Sequence, residues 1–475
     1  MNERRTKQVV IVVVLAAAAF VFFNYFGRML ESAVVSAVPF WLVMPFVVLL
    51  LAIAVGPFLN RSWWESNYPT VVAVLGAVVI SYYVYPLRNV PRIVLTMYDY
   101  IGFISLIGSL FVVAGGIHFN LRGKAAPWEN VALLGAGALL SNVLGTTGAS
   151  MLLIRPYLRN NRYRIRGYHV IFFIFIVSNT GGALTPIGDP PLFLGYLKGV
   201  PFFWVISKAW FAWGIVLGLL LLIFYGIDRI HFRRVPRNVR EEALSPDEAR
   251  VSGLHNLWFL GAIIAAVFIE RPLMLREVIM WSAATGSYYT TRKEVHGRNE
   301  FSFVPLKEVA VLFVGIFATM IPALDWLQLN AGSLGIRTPG QFYWCTGILS
   351  SVLDNAPTYL GFMSAAFGLH GASIDNAVHV HAILGQIQLG SIGLANPIIP
   401  GAIAVTADSW RYVQAISLGA VFFGAMTYIG NGPNFMVKSI ADQTGIESPS
   451  FLEYIWKYSV PILIPIFIIV WLLLF

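Results

Sequence analysis

The side chains best placed to do chemistry are a few carboxylates, amides and hydroxyls set among Gly and Pro inside long apolar runs. Asp189 stands in TPIGDPP (185–191) and Asp354 in SSVLDNAPTY (350–359). An ionisable residue at membrane depth costs several kcal/mol unless solvated, protonated or paired, so function is its default reading. Pro186, Pro190 and Pro191 withhold backbone donors and stop a continuous helix. That frees carbonyls to coordinate a cation beside Asp189 and Gly188. Around Asp354 stand Asn355, Ser350, Ser351 and Thr358, the oxygen ligands that hard cations prefer. Each acid also has a plainer reading as a helix cap, since GDPP and Asp-Asn-x-Pro are both turn chemistry. Burial favours the protonated carboxyl and a bound cation favours the ionised one, so proton and cation would compete for the same oxygens.

Two pairs of copied segments organise these residues. GALTPIGDPPLF (182–193) and GAMTYIGNGPNF (424–435) lie 242 residues apart and agree at seven of twelve positions. A Gly/Pro break placed inside a membrane helix in each half points to a transporter's binding site. Irregular backbone at that depth is tolerated only where it is buried in protein or lines a wet cavity. LLSNVL (139–144) and ILSSVL (348–353) form the second pair, 209 residues apart. The first tip carries Ser141, Asn142, Thr146 and Thr147, with Gly145 and Gly148 for tight turns. The second break carries Thr427, Gly430, Asn431 and Asn434. Thr185 and the run Ser178, Asn179 and Thr180 complete the cation- and proton-binding candidates, with Asp189 and Asp354 as acidic ligands for Na⁺. Each tip-and-break pair holds one acid, so two quasi-equivalent sites are expected. One carboxylate among neutral oxygens suits a small monovalent cation or a proton better than a large anion.

The bulk composition is that of a membrane protein. Mean hydropathy is +0.72, and 12% charged residues is half the share of about 25% found in soluble domains. The net charge of +9 sits in short loops, a topology signal and not a nucleic-acid face. A lone Cys345 excludes an intramolecular disulfide and any multi-cysteine metal site. No spaced histidine set suggests a metal, and no cofactor is expected.

Apolar segments fall near 9–27, 38–58, 68–86, 97–118, 130–154, 168–197, 203–227, 254–270, 276–290, 305–323, 340–365, 400–437 and 455–475. The positive-inside rule puts the N-terminus and the basic loops 155–166, 229–240 and 292–298 in the cytoplasm. Loop 119–129 then also falls inside, so 130–154 must enter and return as a re-entrant hairpin. By the same count 340–365 is a second hairpin entering from outside. The expected fold is an all-α polytopic membrane protein. It has an N-terminal transmembrane helix (1–30), repeat 1 (36–228, hairpin 130–154, broken helix 168–197) and a cytoplasmic linker (229–253). Repeat 2 (254–475) holds hairpin 340–365, a peripheral or re-entrant insertion (366–399) and broken helix 400–437. One repeat starts outside and the other inside, which makes them inverted-topology repeats.

Lys198 and Lys438 follow the two breaks and read as snorkelling anchors; Asp99, Asp325 and Asp408 read as interfacial. An intramembrane aspartyl protease is set aside, because Pro186 stands where its Gly-x-Gly-Asp motif needs Gly and such an enzyme would not explain the repeat. No enzymatic activity is expected.

The motifs 181–191, SSVLDNAPTY and AMTYIGNGPNFMVKS (425–439) resemble the ion-transporter superfamily. Within it they are similar to NhaD-type sodium/proton antiporters and a related citrate-transporter group, over most of the chain from about residue 38. The resemblance implies a homodimer, each protomer with a scaffold part and a mobile part that carries the hairpins; the expected location is the cell (inner) membrane. In the sodium-coupled dicarboxylate branch both tips read Ser-Asn-Thr, whereas here they read Ser141-Asn142-Val143 and Asp354-Asn355-Ala356. An acid at a tip would repel a dicarboxylate. The expected function is therefore Na⁺ or Li⁺ exchange for H⁺ at Asp189 and Asp354, with a coupled carboxylate or arsenite-type anion carrier as the alternative.

Overall fold

A computed structural model describes residues 26–120, 125–236, 250–387, 403–446 and 448–475. The described residues are all-α apart from one short antiparallel pair, β1 (His118–Asn120) with β2 (Arg250–Ser252). The first half contains α1 (Met44–Leu59), α2 (Arg61–Val84), α3 (Val90–Gly115), α4 (Pro127–Asn160), α5 (Gly167–Ile176), α6 (Pro190–Leu197) and α7 (Phe202–Arg233). The second contains α8 (Asn256–Val267), α9 (Leu275–Thr290), α10 (Val304–Leu329), α11 (Pro339–Val352) and α12 (Asn355–Leu369). After these come α13 (Trp410–Phe423), α14 (Gly432–Gln443) and α15 (Val460–Leu474).

Among the described residues, eight segments are long and apolar enough to cross a membrane. This is a multi-pass membrane protein. The expected segment 254–270 comes out as the 12-residue α8, short of the roughly 20 residues a span needs. Of the N-terminal helix expected at 1–30, residues 1–25 lie outside the described part. So do 237–249 of the linker, whose ends continue α7 and supply β2.

Among the described elements α4 is the longest helix, yet it folds back on itself. Asn130 Nδ2 donates to Asn161 Oδ1 at 2.8 Å, although 31 residues of straight helix would separate them by about 46 Å. The fold-back point is Gly145, at φ 73° and ψ 156°, a region essentially reserved for glycine. Asp228 of α7 clamps the two ends of this hairpin. It accepts from Arg164 Nη2 (2.8 Å), Tyr168 Oη (2.7 Å) and Asn130 Nδ2 (3.2 Å). α11 and α12 form the second hairpin, with Phe342 and Phe362 ring centroids 6.2 Å apart across it. Its tip turns differently, because Asp354 occupies ordinary extended backbone (φ −55°, ψ 133°) where the first tip needs glycine. Both hairpins are longer than the 130–154 and 340–365 expected.

Each broken helix keeps the shape its motif encodes. α5 stops at Ile176, a 3₁₀ turn spans Thr180–Leu184, and α6 restarts at Pro190. α13 is followed by a 3₁₀ turn at Gly424–Met426, and α14 restarts at Gly432. Thr185 (φ −130°, ψ 153°) and Asp189 (−141°, 142°) match Thr427 (−139°, 167°) and Asn431 (−153°, 140°). The loops close so tightly that a Cβ on Gly188 would lie 2.2 Å from Gly182 O, and one on Gly430 2.6 Å from Gly424 O. Each hairpin packs on the restart helix of the opposite half, α4 on α14 and α12 on α6.

Gly145→Ala is expected to destabilise the fold by about 1–3 kcal/mol, read as a lower unfolding temperature by tryptophan fluorescence. An unchanged temperature would mean that the tip tolerates another turn.

Candidate functional site

The two hairpin tips and the two breaks converge on the Asp189 carboxylate. Asp189 stands at the N-cap of α6, but its side chain makes no cap bond. Its oxygens accept instead from three other elements: Thr146 Oγ1 at 2.8 Å, Asn431 Nδ2 at 3.0 Å and Asn355 Nδ2 at 2.7 Å. All four residues are at most 2% exposed. The two repeat offsets generate the arrangement: Asn431 is the copy of Asp189 at 242, and Asn355 the copy of Thr146 at 209. Donors for a buried carboxylate are needed because each charged-group hydrogen bond contributes about 1.5–3 kcal/mol.

The surrounding residues hold the backbone open. Thr185 Oγ1 donates to Asn142 O at 2.7 Å and accepts from Gly188 N. In the copy, Thr427 Oγ1 donates to Ser351 O at 2.6 Å and accepts from Gly430 N. Ser141 Oγ donates to Val177 O and Ser350 Oγ to Ala420 O, so each hairpin satisfies a carbonyl where its own broken helix ends. Asn142 bridges Gly181 O and Leu184 N, and Thr146 N donates to Gly188 O. Asn179 Oδ1 accepts from Asn431 while its Nδ2 donates to Asn434 Oδ1 at 2.7 Å. Ser178 pairs with Ser150 through their hydroxyls, and Thr180 is buried at the start of the first 3₁₀ turn.

Asp354 behaves differently. Its Oδ1 accepts from Ala356 N at 3.0 Å and caps α12, while Thr358 Oγ1 returns to its carbonyl. The cap reading therefore describes the bonds of Asp354 and not those of Asp189. Asp354 adjoins the cluster through Asn355. The hydrogen bonds join tips and breaks into one cluster, where two quasi-equivalent sites were expected.

The donor set fits a small cation. Asn355 Oδ1 is buried without a hydrogen-bond partner in the described structure. A cavity of about 30 Å³, lined by Thr146, Thr147, Gly188 and Asp189 among others, opens beside the carboxylate. One water needs at least about 10–15 Å³, so the space suits a species of that size. Among the described residues no group of three His, Cys, Asp or Glu side chains is arranged to hold a metal ion, which leaves neutral oxygens to complete any shell around Asp189.

Residues 35–475 match the model of the family described as "Putative citrate transport". The chain belongs to that family. It is a membrane transporter family, and the assignment speaks against an enzyme. The match names citrate and not the antiporters that the motifs resemble. No curated protein matches the chain.

The basic residues after the breaks correct the sequence reading. Lys198 is no snorkelling anchor: it is buried, donating to Asp99 Oδ2 at 2.6 Å and to Asp375 Oδ1. Asp325, expected at an interface, is 0% exposed and holds Arg92 Nε and Nη2 at 3.0 and 2.6 Å. Arg92 and Asp375 were missed altogether. Such pairs join residues up to 283 apart in sequence, and nothing in local spacing announces them. The insertion expected to be peripheral or re-entrant supplies Asp375 and the buried His370 and Ile374, while its residues 388–399 lie outside the described part. Lys438 does face outward, paired with Asp442.

Because Thr185 and Thr427 make the same pair of bonds, Thr185→Val and Thr427→Val should cost similar amounts, about 1–2 kcal/mol each. Thermal unfolding of the purified variants checks this, and a lopsided loss would show that the two breaks do not bear equal load.

Proposed function

We propose that this chain is a secondary active transporter that exchanges Na⁺ or Li⁺ for H⁺ at Asp189, with Asp354 as the second acid. The observation that carries the reading is a buried carboxylate held by neutral donors from both tips and the other break. Among the described residues no basic side chain joins that cluster. Lys198 and Lys438, on which direct anion binding would depend, are occupied elsewhere. Asp189, Asn355 Oδ1 and the carbonyls of the breaks offer the oxygens that replace a cation's hydration shell. Protonation of Asp189 withdraws the charge that holds the cation, and this links the two fluxes. In this reading the hairpins are re-entrant, the halves are inverted-topology repeats, and the protein works as a homodimer in the cell (inner) membrane with its N-terminus inside.

The family description favours a second reading, cation-coupled transport of citrate or a dicarboxylate. Asp189 and Asp354 then hold the coupling ion, and the anion contacts tip hydroxyls and amides. Both readings place a cation at Asp189 and differ in the cargo.

A pH-gradient assay in proteoliposomes separates them, with NaCl, LiCl, KCl and citrate added in turn. Gradient collapse by Na⁺ or Li⁺ alone is expected, reduced more than about tenfold in Asp189→Asn, because loss of a charged ligand removes at least about 1.4 kcal/mol. Uptake of labelled citrate without a cation-driven proton flux would transfer the proposal to the second reading. Full exchange in the Asp189→Asn, Asp354→Asn double variant would sink both.

A further inference from the structure

Five ionisable side chains form a second buried cluster, between the end of the half-helix that starts at Asp189 and the packed helices α3 and α10. Lys198, at the C-cap of α6, bridges Asp99 of α3 and Asp375 in the segment after the second hairpin. Arg92 of α3 bridges Asp375 and Asp325 of α10. All five side chains are at most 9% exposed. With every group ionised, two cations face three carboxylates, which leaves one uncompensated negative charge in a site shut off from water. Burying a net charge costs far more than burying a neutral network.

The shortfall is not shared evenly. Asp325 accepts from Arg92 Nε and Nη2 on one oxygen and from Tyr83 Oη (2.8 Å) and Ser36 N (3.1 Å) on the other. Asp375 takes one cation on each oxygen. Asp99 accepts one hydrogen bond among the described residues, from Lys198. Among the described residues, the other charged groups near Asp99 do not fill the gap. On α9, one turn along, Arg276 and Glu277 neutralise each other at 2.6 Å, and Arg276 Nη2 lies 2.9 Å from the Cβ position of Gly102. Tyr98, its neighbour on α3, is within electrostatic reach of Asp99, Arg276, Glu277 and Glu270 and adds no cation.

We propose that this cluster is a second proton-binding site, separate from Asp189 and Asp354, in which Asp99 carries the proton that brings the buried network to neutrality. One proton on the Asp99 oxygen that lacks a donor leaves two cations against two carboxylates, with every pairing kept. The site does not depend on which ion the transporter moves.

Infrared spectroscopy of the purified full-length chain in lipid tests this through the protonated-carboxyl C=O stretch, which stands clear of the carboxylate bands. At neutral pH, Asp99→Asn should lose one such band relative to the parent. Asp375→Asn should lose the same band, because removing one carboxylate lets Asp99 ionise. Asn is isosteric with the protonated acid, so Asp99→Asn should unfold within about 2 °C of the parent. Persistence of the band in Asp99→Asn overturns the proposal. So does failure of that variant to fold, since it would show that the network needs a charge at position 99. Neither readout requires transport, and loss of ion exchange in Asp189→Asn leaves this result untouched.

Discussion

The structure depends on satisfying one carboxylate that has been taken out of water. Asp189 is buried where two interrupted helices meet, and an ionised carboxylate there is tolerable only with donors aimed at both oxygens. A continuous helix could not supply them, because its N–H groups are spent on its own carbonyls. Interrupting the helix at Pro186 and Pro190 places Asp189 in extended backbone, with its side chain directed away from its own N-terminus. The donors then come from other elements, and their need for close approach explains the surroundings. Gly182 against Gly188 and Gly424 against Gly430 pack carbonyl on α-carbon, where any side chain would force the loops apart.

The duplicated motif delivers those donors economically. Thr185 and Thr427 make identical contacts, each tying its break to a hairpin carbonyl and folding a glycine N–H inward. At the centre the copies diverge in chemistry while keeping position: Asp opposes Asn, and Thr opposes Asn. Two carboxylates at 3 Å would repel, whereas a carboxylate and an amide attract. The departure from sequence identity at 189 and 431 is thus what allows the two copies to touch.

Positive charge is kept away from this centre by being used elsewhere. Lys198 lies only nine positions beyond Asp189, yet the length of α6 carries it to the far end of the half-helix, where Asp99 and Asp375 hold it. The break is therefore anchored to α3 by charge at one end and to the hairpin tips by neutral hydrogen bonds at the other. Among the described residues the second break has no equivalent anchor; Lys438 pairs with Asp442 on its own helix.

The sequence by itself determined the membrane class, the two breaks, the two hairpins and most of the residues around Asp189. Apolar runs, Gly/Pro interruptions and copied motifs are all local or self-similar signals, readable without a fold. It also held, unread, the pairing at the centre, since the two offsets map Asp189 onto Asn431 and Thr146 onto Asn355. Tertiary structure alone decided that Asp189 recruits distant donors while Asp354 caps its own helix, for both stand before turn-forming residues and look alike in the chain. It alone decided that Arg92, Asp99, Lys198, Asp325 and Asp375 share one buried network. Ion pairing depends on distance in space, and helices that pack side by side bring together charges whose separation along the chain carries no period.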